Sequence, residues 1–247
     1  MLKDLPPKIE QVSLSELKKG QLALYTKMLD KIRGDLFSTV TEKGFNNSQI
    51  EILAGLTRLR QICNHPGLLS EKFIDIENIS GKLELFEELL CECIESGHKV
   101  LVFSQFVKML DILNKVLDKR NIKYCRLDGK SKNREKIIDR FNNDETVKVF
   151  LISLKAGGFG LNLTSADTVI LYDPWWNPMV EEQASDRVHR IGQDKAVNVY
   201  RLITKGTIEE KIQKLQERKR MLFDSIVNES GDLFKKLSLE DLKEILE

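Results

Sequence analysis

The chain has 247 residues, 41% of them hydrophobic and 31% charged, with a formal net charge of +1. That apolar content supports one large folded domain or two small ones and excludes a disordered or fibrous chain, while the near-neutral charge leaves any nucleic-acid-binding surface to local patches. No run approaches the roughly 20 apolar residues of a membrane span, and the amino-terminal MLKDLPPKIE lacks the apolar core of a signal peptide.

An intracellular protein with reduced thiols is expected, cytoplasmic in a prokaryote and nuclear in a eukaryote. Cys63, Cys91, Cys93 and Cys125 contain no C-x₂₋₄-C pair, so no metal site is expected.

Residues 1–13 read as a linker held extended by Pro6 and Pro7. A first amphipathic helix carries Leu14, Leu17, Leu22 and Tyr25 and runs to about Arg33; Gly34 to Asn47 is turn-rich. A second helix starts near Ser48, places Ile52, Leu56, Leu59 and Ile62 at near-helical spacing, and stops at Asn64-His65-Pro66-Gly67. No strand-period segment precedes Lys99, so residues 1–79 are assigned to a linker and a helical subdomain.

From Ser80 the pattern alternates. Ser80 caps a helix with Leu83, Phe86, Leu90 and Ile94 on one face, stopped at Gly97. Strands are expected at 99–103, 122–127, 147–152, 168–172 and 196–203. Helices are expected at 107–119 (Val107, Leu110, Leu113 and Leu117 inward), near 132–142, at 178–191 and from about Thr207. This repeated order implies an α/β fold, a parallel sheet covered by helices. Residues 80–212 form that domain, and 213–247 a helical tail with a short Leu-rich helix near 238–246.

Four polar groups follow strands: Ser104-Gln105, Asp128-Gly129, Ser153-Leu154-Lys155 and Asp173. In a parallel sheet they share the carboxyl edge, where open α/β sheets bind ligands. Gly157, Gly158 and Gly160 sit in a turn open to close approach. The turn is neither a Walker A loop, since no Gly-Lys-Ser/Thr follows, nor a dinucleotide fingerprint, since Leu163 stands where the third glycine belongs.

The stretch DPWWNPMVEEQASDRVHRIGQ (173–193) reads as a strand end, a Trp-rich loop and a helix, with Asn177 as N-cap, Pro178 at the first helical position, Glu181 and Glu182 favoured by the dipole, and Gly192 as the stop. On a helix reaching 191, Gln183, Arg187 and Arg190 form one stripe. Two such guanidinium groups make either a phosphate clamp or a solvated face with Asp186 paired to Arg190.

QASDRVHRIGQ resembles the sixth helicase motif of superfamily-two ATPases in the form used by the Swi/Snf family of DNA-translocating motors. Other stretches resemble the same family: LTRLRQICNHPGLL (56–69), VLVFSQF (motif four), RLDGKSKNREKIIDRFN (126–142), SLKAGGFGLNLTSADTVILYD (motif five), DPWWNP and NVYRLITKGTIEEKI. The resemblance covers about residues 3–215 and implies a RecA-like second helicase lobe. It implies Arg187 and Arg190 as arginine fingers on ATP, and Gln183 as orienting them or the attacking water. Gly158, Gly160 and Asp173 would lie by the nucleotide. Ser104, Gln105, Asp128, Gly129, Arg134, Ser153 and Lys155 would touch the backbone of double-stranded DNA. Lys130 departs from the small polar residue usual in the family.

The two tryptophans either stack on bases or are buried. The Lys/Arg-rich segment from Arg201 to Arg220 is either a DNA contact or a solvated face laced with Glu209, Glu210 and Glu217. No GxxxxGK[ST] occurs, so ATP and Mg²⁺ are expected to be bound mainly by a first RecA-like lobe, with a protein or chromatin substrate beyond it. The chain then looks like one half of a motor, inactive alone. An RNA helicase lobe of the DEAD type fits less well, because Gln183 and Val188-His189 replace that family's His and glycines; a non-catalytic scaffold is the other alternative.

Overall fold

The computed structural model describes residues 5–43, 45–157, 161–175, 178–223 and 238–246. Among them, β1 (Lys8–Ser15), β2 (Val100–Ser104), β3 (Tyr124–Leu127), β4 (Val149–Ser153), β5 (Thr168–Leu171) and β6 (Val197–Thr204) form one six-stranded sheet in the order β1-β6-β5-β2-β4-β3. β2 runs parallel to β4 and β5, β3 to β4 and β5 to β6. The helices are α1 (Lys19–Lys43), α2 (Phe45–Asn64), α3 (Gly81–Glu95), α4 (Val107–Lys119), α5 (Arg134–Asn143), α6 (Leu154–Gly157), α7 (Pro178–Ser185), α8 (Ile208–Phe223) and α9 (Leu239–Leu246). The expected RecA-like α/β architecture is present. The chain divides into two compact units, 1–13 with 85–202 and 14–84 with 203–247.

In the first unit β2, β4 and β5 are buried at every position, as central parallel strands covered on both faces must be. Phe103, Phe141, Phe150, Leu163, Val169 and Val199 lie in one core. α4 contributes Met109, Leu110, Ile112, Leu113 and Leu117, but Val107 is exposed. Phe86 meets Tyr172 edge-on at 5.5 Å.

In the second unit α1 packs on α2 through Tyr25, Ile32, Ile52, Leu56, Leu59 and Ile62, all buried. Buried Gln21 closes the end of α2: its Nε2 donates to Ile62 O at 2.7 Å and Cys63 O at 3.1 Å. The α2 stop is as expected, with His65 Nδ1 accepting from Gly67 N at 2.9 Å, and Ser80 Oγ accepts from Leu83 N at 3.2 Å at the start of α3. Gly81 admits no side chain, since a Cβ there would stand 1.9 Å from Glu16 O. Lys82 and Glu209 form an ion pair with both side chains 0% exposed. Lys82 also donates to Asn64 Oδ1 at 3.0 Å, and Glu209 Oε2 accepts from Thr204 N at 2.9 Å. α9 buries Leu242, Ile245 and Leu246.

Three expectations are corrected. Lys8–Ser15 is not a linker but the edge strand β1: Val197 N donates to Pro7 O at 2.9 Å and Lys205 N to Ser15 O at 2.8 Å. Its side chains are mostly exposed, so backbone pairing holds it and no alternation marks it; Leu14 belongs to this strand and is exposed. α1 continues through Gly34 for 25 residues. One glycine costs a helix only about 1 kcal/mol, less than burying Tyr25 and Ile32 returns at about 1.5–3 kcal/mol each. The helix at 178 ends at Ser185, not 191.

Lys82→Met leaves Glu209 charged, buried and unpaired. Unfolding by denaturant is expected to show a loss of about 3–5 kcal/mol, with most of it recovered in Lys82→Met combined with Glu209→Leu. A single variant within experimental error of wild type would refute this account of the second unit.

Candidate functional site

Register builds the site. Ser104 stands opposite Ser153, Leu127 opposite Ile152 and Phe103 opposite Leu171. One residue past these pairs lie Asp128 and Tyr172, so the four expected polar groups do meet along the carboxyl edge.

Several of them hold the edge together. Ser104 is buried, and its hydroxyl donates to Asp173 Oδ1 at 2.5 Å; Asp173 Oδ2 accepts from Gln105 N at 3.0 Å. Asp173 thereby fastens the end of β2 to the end of β5, and Gln105, half-buried, is the group presented beyond it. Asp128 builds a tight turn: it accepts from Arg126 Nε at 2.9 Å and Lys130 N at 2.9 Å, and its N–H donates to Ser131 Oγ at 2.9 Å. Burial pushes its carboxyl up, but the bonds from Lys130 N, Arg126 and Ser131 outweigh that and hold it below the ordinary value. The exposed tip is Gly129 and Lys130, with open space where a Gly129 side chain would stand. Arg134 opens α5 half-buried. Ser153 Oγ accepts from Ala156 N at 3.4 Å, capping the short turn of α6 that carries Lys155. The Lys155 side chain, Gly158, Gly160 and the Asn177 cap lie outside the described residues.

The arginine stripe on a continuous helix is corrected. Gln183 is exposed on α7, but Arg187 and Arg190 lie in the turn beyond it. Ser185 Oγ donates back to Glu182 O at 2.9 Å, a bond that competes with helix continuation. Arg187 N bonds Ala184 O at 3.4 Å and Val188 N bonds Ser185 O at 3.1 Å, so the last turn tightens; Gly192, at φ +103°, closes the segment. Val188 is fully buried and pins the turn to the core, which leaves Arg187 half-buried and Arg190 exposed. Arg187 Nε is buried and has no partner among the described residues. Burial first, and then the Arg190 charge, lower the Arg187 pKa against a smaller opposing effect of Asp186. Two cations share one turn, and among the described residues neither forms an ion pair, Asp186 acting on Arg187 only through its charge.

Gln193 and Glu181 were not assigned these roles from sequence. Gln193, buried, donates to Ala166 O at 2.7 Å and to Thr164 O and Val188 O at 3.3 Å each, sewing the arginine turn to the 164–166 segment. Glu181, buried rather than a solvated dipole partner, accepts from Trp175 N at 2.6 Å and Arg201 Nε at 3.0 Å. Arg201 Nη1 continues to Glu10 at 2.8 Å, so this arginine braces β1, β6 and α7. Trp175 packs half-buried on the core. Among the described residues no group of three or more His, Cys, Asp or Glu gathers as a metal requires, and no helix is long and apolar enough to cross a membrane. Burial lowers the His65 pKa to about 4.

The family profile described as Helicase conserved C-terminal domain matches residues 81–192. A Sulfolobus solfataricus SWI2/SNF2 ATPase C-terminal domain superposes with a TM-score of 0.78 at 36% identity, over 96% of this chain and 97% of that one. The chain belongs to the SWI2/SNF2 family. The Sulfolobus solfataricus SWI2/SNF2 ATPase core in complex with dsDNA gives a TM-score of 0.82 at 36% identity, over 99% of this chain and 51% of that one. The SWI/SNF-related matrix-associated actin-dependent regulator of chromatin subfamily A member 1 of Homo sapiens is 43% identical over 253 residues, covering 98% of this chain and 24% of that protein. The chain thus spans about a quarter of the length of this curated relative. In SWI2/SNF2 terms it corresponds to the C-terminal helicase lobe.

The Glu10–Arg201–Glu181 brace predicts a pH effect. Burial pushes Glu10 up, yet its bonds to Lys8 and Arg201 outweigh that and bring it from 4.5 to about 2. A folded-state pKa below the unfolded one adds stability that is whole above about pH 4.5 and drains as pH falls toward 2. The protection of the β1 amides relative to their intrinsic exchange rate is expected to fall across that window in wild type, and Glu10→Gln is expected to remove this part of the pH dependence. Identical profiles for the two would refute the brace.

Proposed function

We propose that the chain is the second motor lobe of an ATP-dependent double-stranded-DNA translocase or remodelling enzyme. The observation that carries the reading is the arginine turn: Arg187, half-buried, its Nε without a partner among the described residues, beside the exposed cation Arg190. Holding two like charges in a partly desolvated turn is costly until an anion arrives, and a guanidinium fork fits phosphate oxygens in bidentate fashion. ATP, held mainly by a first RecA-like lobe, supplies the transferable γ-phosphoryl group. Arg187 and Arg190 meet the charge that grows on it, and Gln183, exposed one turn earlier on α7, orients the fingers or the attacking water. Mg²⁺ is assigned to the nucleotide and the first lobe.

The carboxyl edge is assigned to the DNA backbone. Gln105, Gly129, Lys130, Arg134 and the backbone of the α6 turn present amides and cations, with Lys155 assigned to the same contact from its place in the sequence, while Ser104, Asp128, Ser153 and Asp173 shape the loops that present them. Contacts of this kind position a duplex without reading its sequence. The dsDNA in the complex of the Sulfolobus relative supports this assignment. The human relative's name points to chromatin as one substrate class. Nucleotide-driven closure of two lobes would shift this edge along the duplex, and the chain alone would turn over no ATP.

In a protein carrying both lobes, Arg187→Ala or Arg190→Ala is expected to lower kcat by about 10³–10⁵, the usual contribution of an arginine finger, while duplex affinity stays within about twofold. Lysine is not expected to rescue, because a point charge lacks the fork. A stable variant that keeps more than about a tenth of wild-type kcat would rule out the finger role, since that loss is under about 1.4 kcal/mol.

A further inference from the structure

Running back from the carboxyl edge, a cleft of about 430 Å³ opens between the edge strand β3 and helix α5, lined by Tyr124, Cys125 and Arg126 on one side and Lys132, Asn133, Lys136, Ile137 and Arg140 on the other. Three observations define what it accepts.

Its rim is cationic. Lys136 and Arg140, one turn apart on α5, lie on one helical face, and Lys132 stands just before the helix, ahead of the left-handed Asn133; all three are exposed. Lys132 and Lys136 make no ion pair among the described residues, and Arg140 acts on Asp144 and Cys125 only through its charge. Glu135 and Asp139, on the same helix, do not line the cleft. Arg126 is committed to Asp111 and Asp128, so the rim charge on offer is that of Lys132, Lys136 and Arg140.

Its floor is largely apolar, made by Cys125 and Ile137, and has room for a large apolar side chain. A duplex backbone has nothing to put there.

Its strand wall is an open edge. β3 ends the sheet order. Lys123 O accepts from Lys148 N on the β4 side, and in a parallel ladder alternate residues face opposite sides. The backbone groups of Tyr124 and Arg126 therefore face outward.

We propose that this cleft is a docking site for an extended acidic peptide segment with one large apolar residue. The segment adds alongside β3 through main-chain hydrogen bonds, as in recognition by strand addition. Its apolar side chain fills the cleft, and its carboxylates meet Lys132, Lys136 and Arg140. The spacings agree: four residues of helix rise about 6 Å, and two residues of strand advance about 6.6 Å. Duplex DNA shares the negative charge but can use neither the strand edge nor the apolar floor. The inference is independent of the nucleotide role assigned to Arg187 and Arg190.

The test uses the whole chain and a fluorescein-labelled peptide, Glu-Asp-Glu-Leu-Glu-Asp-Glu, with a second peptide carrying Gly for Leu and a 20-base-pair duplex as comparisons. The Leu peptide is expected to bind at least fivefold tighter than the Gly peptide. Lys136→Glu with Arg140→Glu, both exposed, is expected to weaken it at least tenfold while duplex affinity changes less than twofold. Amide exchange at Tyr124 and Arg126 is expected to slow when the Leu peptide is bound. Peptide binding indifferent to the charge reversal, equal binding of the two peptides, absent binding, or no protection at Tyr124 and Arg126 would each overturn the proposal. A parallel loss of duplex affinity would reassign the cleft to a phosphate track.

Discussion

Ser104 and Ser153 stand side by side because β2 and β4 run parallel and in register, and everything the edge does depends on that pairing. Right-handed crossovers return each strand in the same direction, so every strand end falls on one side. A slip of one residue would turn each buried side chain to the opposite face and separate Ser104 from Asp173. The strands resist it because each buried side chain is close-packed against its own neighbours, and because Asp173 ties the end of β2 through Ser104 and Gln105.

Along that edge, residues divide into those that shape loops and those that face out. Asp173, Asp128 and Ser153 spend their polar atoms on neighbouring backbone and side chains. A carboxylate facing DNA directly would repel phosphate; a carboxylate bound inward instead fixes the N–H groups and cations around it. Gln193 does the same for the arginines, drawing three carbonyls to one amide so that the turn from Arg187 to Arg190 has one conformation. The cost of holding Arg187 partly desolvated beside Arg190 is borne by a turn that Val188 anchors in the core.

The strand-helix alternation after Ser80 was legible because central parallel strands are short apolar runs and helices such as α4 repeat their apolar residues with helical period. β1 was not legible, since an edge strand held by backbone bonds leaves Ile9, Val12 and Leu14 exposed and writes no alternation. The motif around Arg187 and Arg190 was legible as residue types but not as geometry. Ser185 turning back on Glu182 and the long-range bonds of Gln193 break the helix, and neither leaves a periodic signature. Lys82 and Glu209 are 127 positions apart, and each alone reads as a surface charge; their pairing inside the second unit emerges only from the tertiary fold.

The claim that most depends on this architecture is that the carboxyl edge of the sheet is the face that meets DNA. Amide hydrogen exchange of the chain with saturating duplex at low salt tests it directly. Slowed exchange at 104–106, 128–131 and 154–157, with α9 unchanged, is the predicted result. Protection confined to other segments, with those three loops exchanging as in the free chain, would contradict it.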